Sequence, residues 1–93
     1  MAVDTEQLRR NVLRLLPPYR VLLHNDDYNS MDHVVRALVE SVPRLSEREA
    51  ERIMMEAHLR GVAQVIVCPK EQAELYCERL TGFGLTATME PAR

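Results

Sequence analysis

Residues 22–31 of the chain read LLHNDDYNSM, an apolar run that ends in an amide and two adjacent carboxylates. Residues 19–24, which overlap the start of this stretch, are rich in Tyr, Val and Leu and follow a proline, which predicts a strand. At the other end, Ser30 is a good N-cap for a helix that begins near Met31. The stretch therefore predicts a strand, a polar loop and a helix, with hydrogen-bond acceptors crowded at the end of the strand.

Two successive helices are predicted from this loop onward. The first carries apolar residues along one face and ends at Pro43. Ser46 with Glu49 forms a capping box for the second helix, and Gly61 fits its C-terminal stop. The inner face of this second helix is expected to comprise Ala50, Ile53, Met54 and Ala57, with Leu59 as a further candidate.

A strand, a helix and a final strand complete the predicted order. Residues 62–68 are a β-branched run whose continuous apolar character indicates a central place in the sheet or burial on both faces. Pro69 suits the first turn of a third helix, residues 82–84 break that helix, and residues 85–89 alternate as a strand. We expect a single α+β domain in two layers, with a three-stranded antiparallel sheet and three helices on one face (βααβαβ).

The N-terminal segment, residues 1–18, is expected to be a flexible extension of a core domain that spans residues 19–93. Asp4 can cap a short helix, and Leu8, Val12, Leu15 and Leu16 follow at helical spacing. Two prolines then stop any such helix, and a helix this short is marginal in water by itself. The segment therefore either frays or becomes ordered on a partner.

Bulk properties exclude several function classes. A net charge of −2 with no basic face gives no reason to expect nucleic acid. No apolar run approaches the roughly 20 residues of a membrane helix, and no signal peptide is evident. The two cysteines, Cys68 and Cys77, form no zinc motif, and we interpret them as reduced thiols. We expect a cytoplasmic (cytosolic or stromal) protein without cofactor or metal.

A binding site is indicated where the loop and the two helices meet. Met54, Ala57 and His58 share one helix face, and Met31 and Val34 have the same relation on the preceding helix. If these two faces meet at the end of the first strand, they form an apolar pocket. A neutral imidazole accepts a hydrogen bond, so His58 would add an acceptor to the polar rim of that pocket. Such a site suits a cation attached to an apolar group. The alternatives are ordinary turn chemistry for the acids, a structural histidine and a methionine stripe in the core.

Two other function classes stay open at this point. Asp26, Asp27, His24 and His58 could form a metal-hydrolase cluster, although the chain has no HExxH motif and no evident activated nucleophile. The chain could instead be a structural interaction domain, related in fold to the C-terminal domain of a ribosomal stalk protein. That alternative predicts no binding to N-terminal peptides.

The residues NDDYNSM at 25–31, followed by MMEAH at 54–58 and by Gly61, resemble the ClpS family of N-degron adaptors. The resemblance covers residues 18–91, and residues 62–91 are most similar to the cyanobacterial and plastid branch. It implies an adaptor without enzymatic activity that binds proteins with a bulky apolar first residue (Phe, Tyr, Trp or Leu). It also implies delivery of those proteins to a Clp AAA+ unfoldase of the ClpC or ClpA type.

The same resemblance implies roles for individual residues. Asn25, Asp27 and His58 match positions that bind the α-amino group, and Asp26 matches one that contacts the peptide backbone. The positions that match the pocket for the first side chain are Leu23, Asn29, Met31, Val34, Met54, Ala57 and Leu85. Met31 matches a gatekeeper against β-branched first residues. Asn29, Ala57 and Tyr76 depart from the family pattern, the first two in the pocket and the third at the unfoldase-docking surface.

Overall fold

The computed structural model describes residues 4–93, apart from the side chains of Leu13 and Arg14. In chain order its elements are α1 (Thr5–Leu15), β1 (Pro18–His24), α2 (Met31–Ser41), α3 (Glu47–Arg60), β2 (Val62–Pro69), α4 (Lys70–Gly82) and β3 (Thr86–Pro91). The predicted α+β domain with a three-stranded antiparallel sheet is confirmed. Helix α1 lies within the predicted extension, of which residues 1–3 are outside the described part of the chain.

The sheet is built around β1, which pairs with β2 on one side and with β3 on the other. The expectation that residues 62–68 form a central or doubly buried strand is therefore wrong. On β2, Ala63 and Val65 are buried whereas Val62 and Gln64 are exposed, as expected for an edge strand with helices over one face only. Apolar β-branched residues on the outer face of β2 conceal this alternation in the sequence.

The helical layer covers one face of the sheet. Helices α3 and α4 lie against the strands, and α2 packs on α3 and α4. The largest fully buried side chains include Leu23 of β1, Leu38 of α2, Ile53 of α3 and Leu80 of α4. Leu59 is not part of this core, because it lies beyond the inner face of α3 and 74% of it is exposed.

Local signals set the ends of the helices that carry the site. The Ser30 hydroxyl accepts the backbone N–H of His33, and Ser46 forms the predicted capping box with Glu49. Gly61 ends α3 in a left-handed conformation (φ 89°), which glycine adopts without steric cost. Pro69 is the last residue of β2 and the N-cap of α4 rather than a residue of its first turn.

Candidate functional site

A pocket lies where the end of β1, the start of α2 and the end of α3 converge. Its walls and rim are formed by Leu23, His24, Asn25, Asp26, Asn29, Met31, Val34, Met54, Ala57 and His58. These three elements meet because Leu23 and Ala57 are anchored in the core, with 2% and 3% of their surface exposed. The pocket thus brings together residues up to 35 positions apart in the chain, from Leu23 to His58.

The apolar walls come from all three elements. Leu23 and Ala57 are buried, and Val34 and Met54 are half-buried. Met31 begins α2 and is 46% exposed, so its side chain lies at the mouth of the pocket rather than in the core. Met31 is thus the most exposed of the apolar residues that line the pocket.

The rim is polar, and backbone hydrogen bonds hold its parts together. The backbone N–H of Asn25 donates to the carbonyl of Gly61 (2.9 Å), and that of Gly61 donates to the carbonyl of Ala57 (2.8 Å). The loop after β1 is therefore joined to the end of α3, next to His58. Asn25 and His58 are both exposed, and both line the pocket.

Asp26 organises the loop through its carboxylate. Oδ1 accepts the backbone N–H of Asn29 (2.8 Å) and of Tyr28 (2.9 Å), and the side-chain amide of Asn29 donates to both carboxylate oxygens. The hydrogen bond from the Asn29 backbone is the main reason that the pKa of Asp26 lies below its ordinary value of 3.8. This carboxylate is ionised near neutral pH and its hydrogen-bonding capacity is largely used within the loop.

A second set of contacts, which no sequence motif indicates, supports the loop from the turn before β3. The Asn29 amide donates to the carbonyl of Gly84 (3.0 Å), and His33 Nε2 donates to the carbonyl of Phe83 (2.7 Å). The rings of His33 and Phe83 also meet edge to face, with centroids 6.2 Å apart. The Gly82-Phe83-Gly84 break was visible in the sequence, but its proximity to the loop was not.

The structure brings most of the predicted site residues to one pocket. The two that do not line it are Asp27, an exposed loop residue, and Leu85, which is buried in the core with 3% exposure. His24 is an additional lining residue, and its Nε2 shares a hydrogen bond of 2.7 Å with the Thr88 hydroxyl. Because Thr88 is a residue of β3, this hydrogen bond directs one ring nitrogen of His24 toward the neighbouring strand.

The chemistry of the pocket is that of acceptors beside apolar walls. Amide, carboxylate and imidazole groups surround its mouth, and a neutral imidazole has one acceptor nitrogen. In residues 4–93 no group of three or more His, Cys, Asp or Glu side chains is arranged to hold a metal ion. Both cysteines are free thiols, and burial raises the pKa of each. The arrangement is suited to binding a cationic group that carries an apolar substituent.

Replacing Asp26 by Ala should lower the free energy of unfolding by about 1–2 kcal/mol, because the N–H groups of Tyr28 and Asn29 lose their acceptor. Asp26→Asn keeps one acceptor oxygen and removes the charge. Since the folded-state pKa of Asp26 is depressed, its ionic contribution is complete above pH 3.8 and is lost as the pH falls through the lower folded value. Denaturant titrations of the native chain and the Asn variant should therefore converge in acid. A constant difference between them would contradict this role.

Comparisons with known proteins agree on one family. The family model described as ATP-dependent Clp protease adaptor protein ClpS matches residues 15–88. The chain is 48% identical to the ClpS adapter of Synechococcus elongatus, over 98% of each chain. It is 44% identical to chloroplastic CLPS1 of Arabidopsis thaliana, over 88% of this chain and 52% of that protein.

A solved structure is similar in both fold and sequence. It is Agrobacterium tumefaciens ClpS2 bound to L-phenylalaninamide, with a TM-score of 0.75 and 37% identity, covering 81% of this chain and 96% of that one. Among the described residues of the present chain, no helix is long and apolar enough to cross a membrane. The predicted resemblance to the ClpS family, including its cyanobacterial and plastid members, is confirmed.

Proposed function

The chain belongs to the ClpS family of ATP-dependent Clp protease adaptors, and from this premise we propose that it binds the N-terminal residue of N-degron substrates. The free α-amino group and a bulky apolar first side chain (Phe, Tyr, Trp or Leu) are the features recognised. The bound substrate is then presented to a Clp AAA+ unfoldase of the ClpC or ClpA type. The observation that carries the proposal is a pocket that combines apolar walls with the Asn25 amide and the His58 imidazole at its rim, where the loop of Asn25 also carries two carboxylates.

Asn25, Asp27 and His58 are the residues that we assign to the α-amino group. An ammonium offers only donors, and it therefore needs acceptors, of which one should be anionic. Hydrogen bonds to a charged group contribute about 1.5–3 kcal/mol each. Asp27 lies two residues after Asn25 on the same loop and is exposed, so its carboxylate is accessible to a ligand.

The first side chain is assigned to the apolar part of the pocket. The walls named above would surround it, and Leu85 would support them from the core. Burial of a Phe or Leu side chain contributes about 1.5–3 kcal/mol. The ligand of the similar Agrobacterium structure, L-phenylalaninamide, combines a free amine with an apolar side chain, which supports this assignment by similarity. In this chain Asp26 would contact the peptide backbone beside the first bond.

Residues 1–18 are assigned to the unfoldase side of the adaptor. In α1, Leu8, Val12 and Leu15 lie at helical spacing and are all exposed. An exposed apolar row on a helix is a typical contact surface for another protein. The expected cytoplasmic location belongs to the same proposal, since the unfoldase and its substrates must share a compartment with the adaptor.

The experiment that tests the proposal is a panel of short peptides that differ only in the first residue, each with a free and an acetylated amine. Free Phe-peptides should bind at least 100-fold more tightly than acetylated ones, because acetylation removes the charge and two donors. Fluorescence anisotropy gives both affinities, and a Gly-peptide is the control for non-specific binding. Equal binding of the two forms would overturn the proposal, and no binding of any peptide would favour the structural interaction domain.

A further inference from the structure

A second and larger concavity, the α2–α3 groove, runs between the exposed faces of α2 and α3. Its volume is about 670 Å³, and its floor is apolar, formed by Met31, Val35, Val39, Met54 and Met55. Met55 is 41% exposed, and the valines are half-buried. Contiguous exposed apolar patches of this kind commonly mark binding sites.

The groove is continuous with the pocket described above. Met31 and Met54 line both, so their side chains separate the two spaces and are shared by them. A peptide whose first side chain occupies the pocket continues from its mouth, where these two methionines adjoin the groove. The groove is therefore within reach of the residues that follow the first one.

The rim of the groove is strongly acidic. Asp32, Glu40, Glu47 and Glu51 line it together with a single cation, Arg36. Arg36 is hydrogen-bonded to Glu40 at 3.1 Å. The other three carboxylates have no ion-pair partner among the described residues. The groove consequently combines an apolar floor with uncompensated negative charge.

We propose that the α2–α3 groove binds the substrate segment that follows the first residue and selects for basic and apolar side chains in it. This inference rests on the proposed function. The floor follows α2 from Met31 to Val39, a rise of about 12 Å at 1.5 Å per residue. An extended peptide advances about 3.3 Å per residue, so the groove accommodates about four residues. With the second residue crossing the methionines, positions 3 to 6 lie against the carboxylates.

The test compares two peptides that begin with Phe and carry either Lys-Leu-Lys-Leu or Glu-Leu-Glu-Leu at positions 3 to 6. The basic peptide should bind about fivefold or more tightly, a ratio typical of a few exposed charge pairs. The preference should weaken as salt is raised from 0.05 to 0.5 M. The double variant Glu47→Lys/Glu51→Lys should abolish or reverse it, whereas Glu74→Lys/Glu78→Lys on α4 makes the same change in net charge and should preserve it.

Each result separates this inference from the proposed function. Equal affinity of the two peptides, with acetylation still abolishing binding, would overturn the groove and leave first-residue recognition intact. If both charge variants lost the preference for the basic peptide, the preference would be an effect of net charge, and the proposed role of the groove would again be overturned. If the groove variant changed the oligomeric state by sedimentation and left peptide preference unchanged, the occupant would be a second copy of the chain. Loss of the acetylation effect in the native chain would overturn the proposed function itself.

Discussion

Asp27→Asn should weaken the binding of a short Phe-peptide by about 10- to 100-fold. The substitution keeps the size of the side chain and removes the only full negative charge that we assign to the ammonium, and a hydrogen bond to a charged group contributes about 1.5–3 kcal/mol. Asp27 is exposed and forms no ion pair with the other residues that the structure describes. Its loss should therefore leave the melting temperature nearly unchanged, so that the affinity reports binding alone.

The assignment of Asp27 is best tested through its coupling to the peptide amine. In a double-mutant cycle, Asp27→Asn should cause a large loss with the free amine and little loss with the acetylated one. Glu74→Gln on α4 removes the same charge at an exposed position and should reduce both affinities equally, if at all. A loss of the same size with free and acetylated peptides would show that Asp27 does not contact the amine.

Met31→Ala should admit Val and Ile as first residues, with affinities that rise by about tenfold or more. Met31 lies at the mouth of the pocket and is 46% exposed, so removing it widens the entrance without creating a cavity in the core. The gain corresponds to burial of a β-branched side chain that the methionine had excluded, which contributes about 1.5–3 kcal/mol when complete. Affinity for Phe should fall by a smaller factor, because one wall contact is lost.

Met55→Ala is the matched control for this substitution. Met55 is also on the groove and is 41% exposed, but it does not line the pocket. With ligands no longer than one residue, such as amino-acid amides, it should leave the ranking of first residues unchanged. Affinities for Val and Ile amides that stay equally low in the native chain and in Met31→Ala would argue against a gatekeeper at this position.

Much of the fold could be predicted because its signals are local. The hydroxyl caps at Ser30 and Ser46 and the left-handed glycine at Gly61 act on backbone groups within four residues, so the helix boundaries follow from neighbouring letters. The position of β2 at the edge could not be predicted in this way. It depends on β1 pairing with both other strands, and the partners in the β1–β3 pair are more than sixty residues apart.

The candidate site was likewise predictable only where its signals are local. Helical spacing was enough to place Met54, Ala57 and His58 on one face, and the strand–loop boundary was enough to place Asn25 at the rim. Whether Asp26 or Asp27 is available to a ligand was not predictable, because both follow Asn25 and either could have formed the turn. In the structure, the Asp26 carboxylate accepts hydrogen bonds from Tyr28 and Asn29, which commits it to the loop.

The sequence alone was sufficient for the order of strands and helices, which follows from backbone preferences and side-chain periodicity. It was also sufficient for the family and for most of the pocket residues, which follow from the resemblance of its motifs. Tertiary structure alone revealed the support of the loop by Phe83 and Gly84 and the acidic groove beside the pocket. The groove joins residues of α2 to residues of α3, and the support of the loop depends on hydrogen bonds across fifty or more residues. Such contacts depend on the free energy of packing distant segments together, for which neighbouring residues carry no signal.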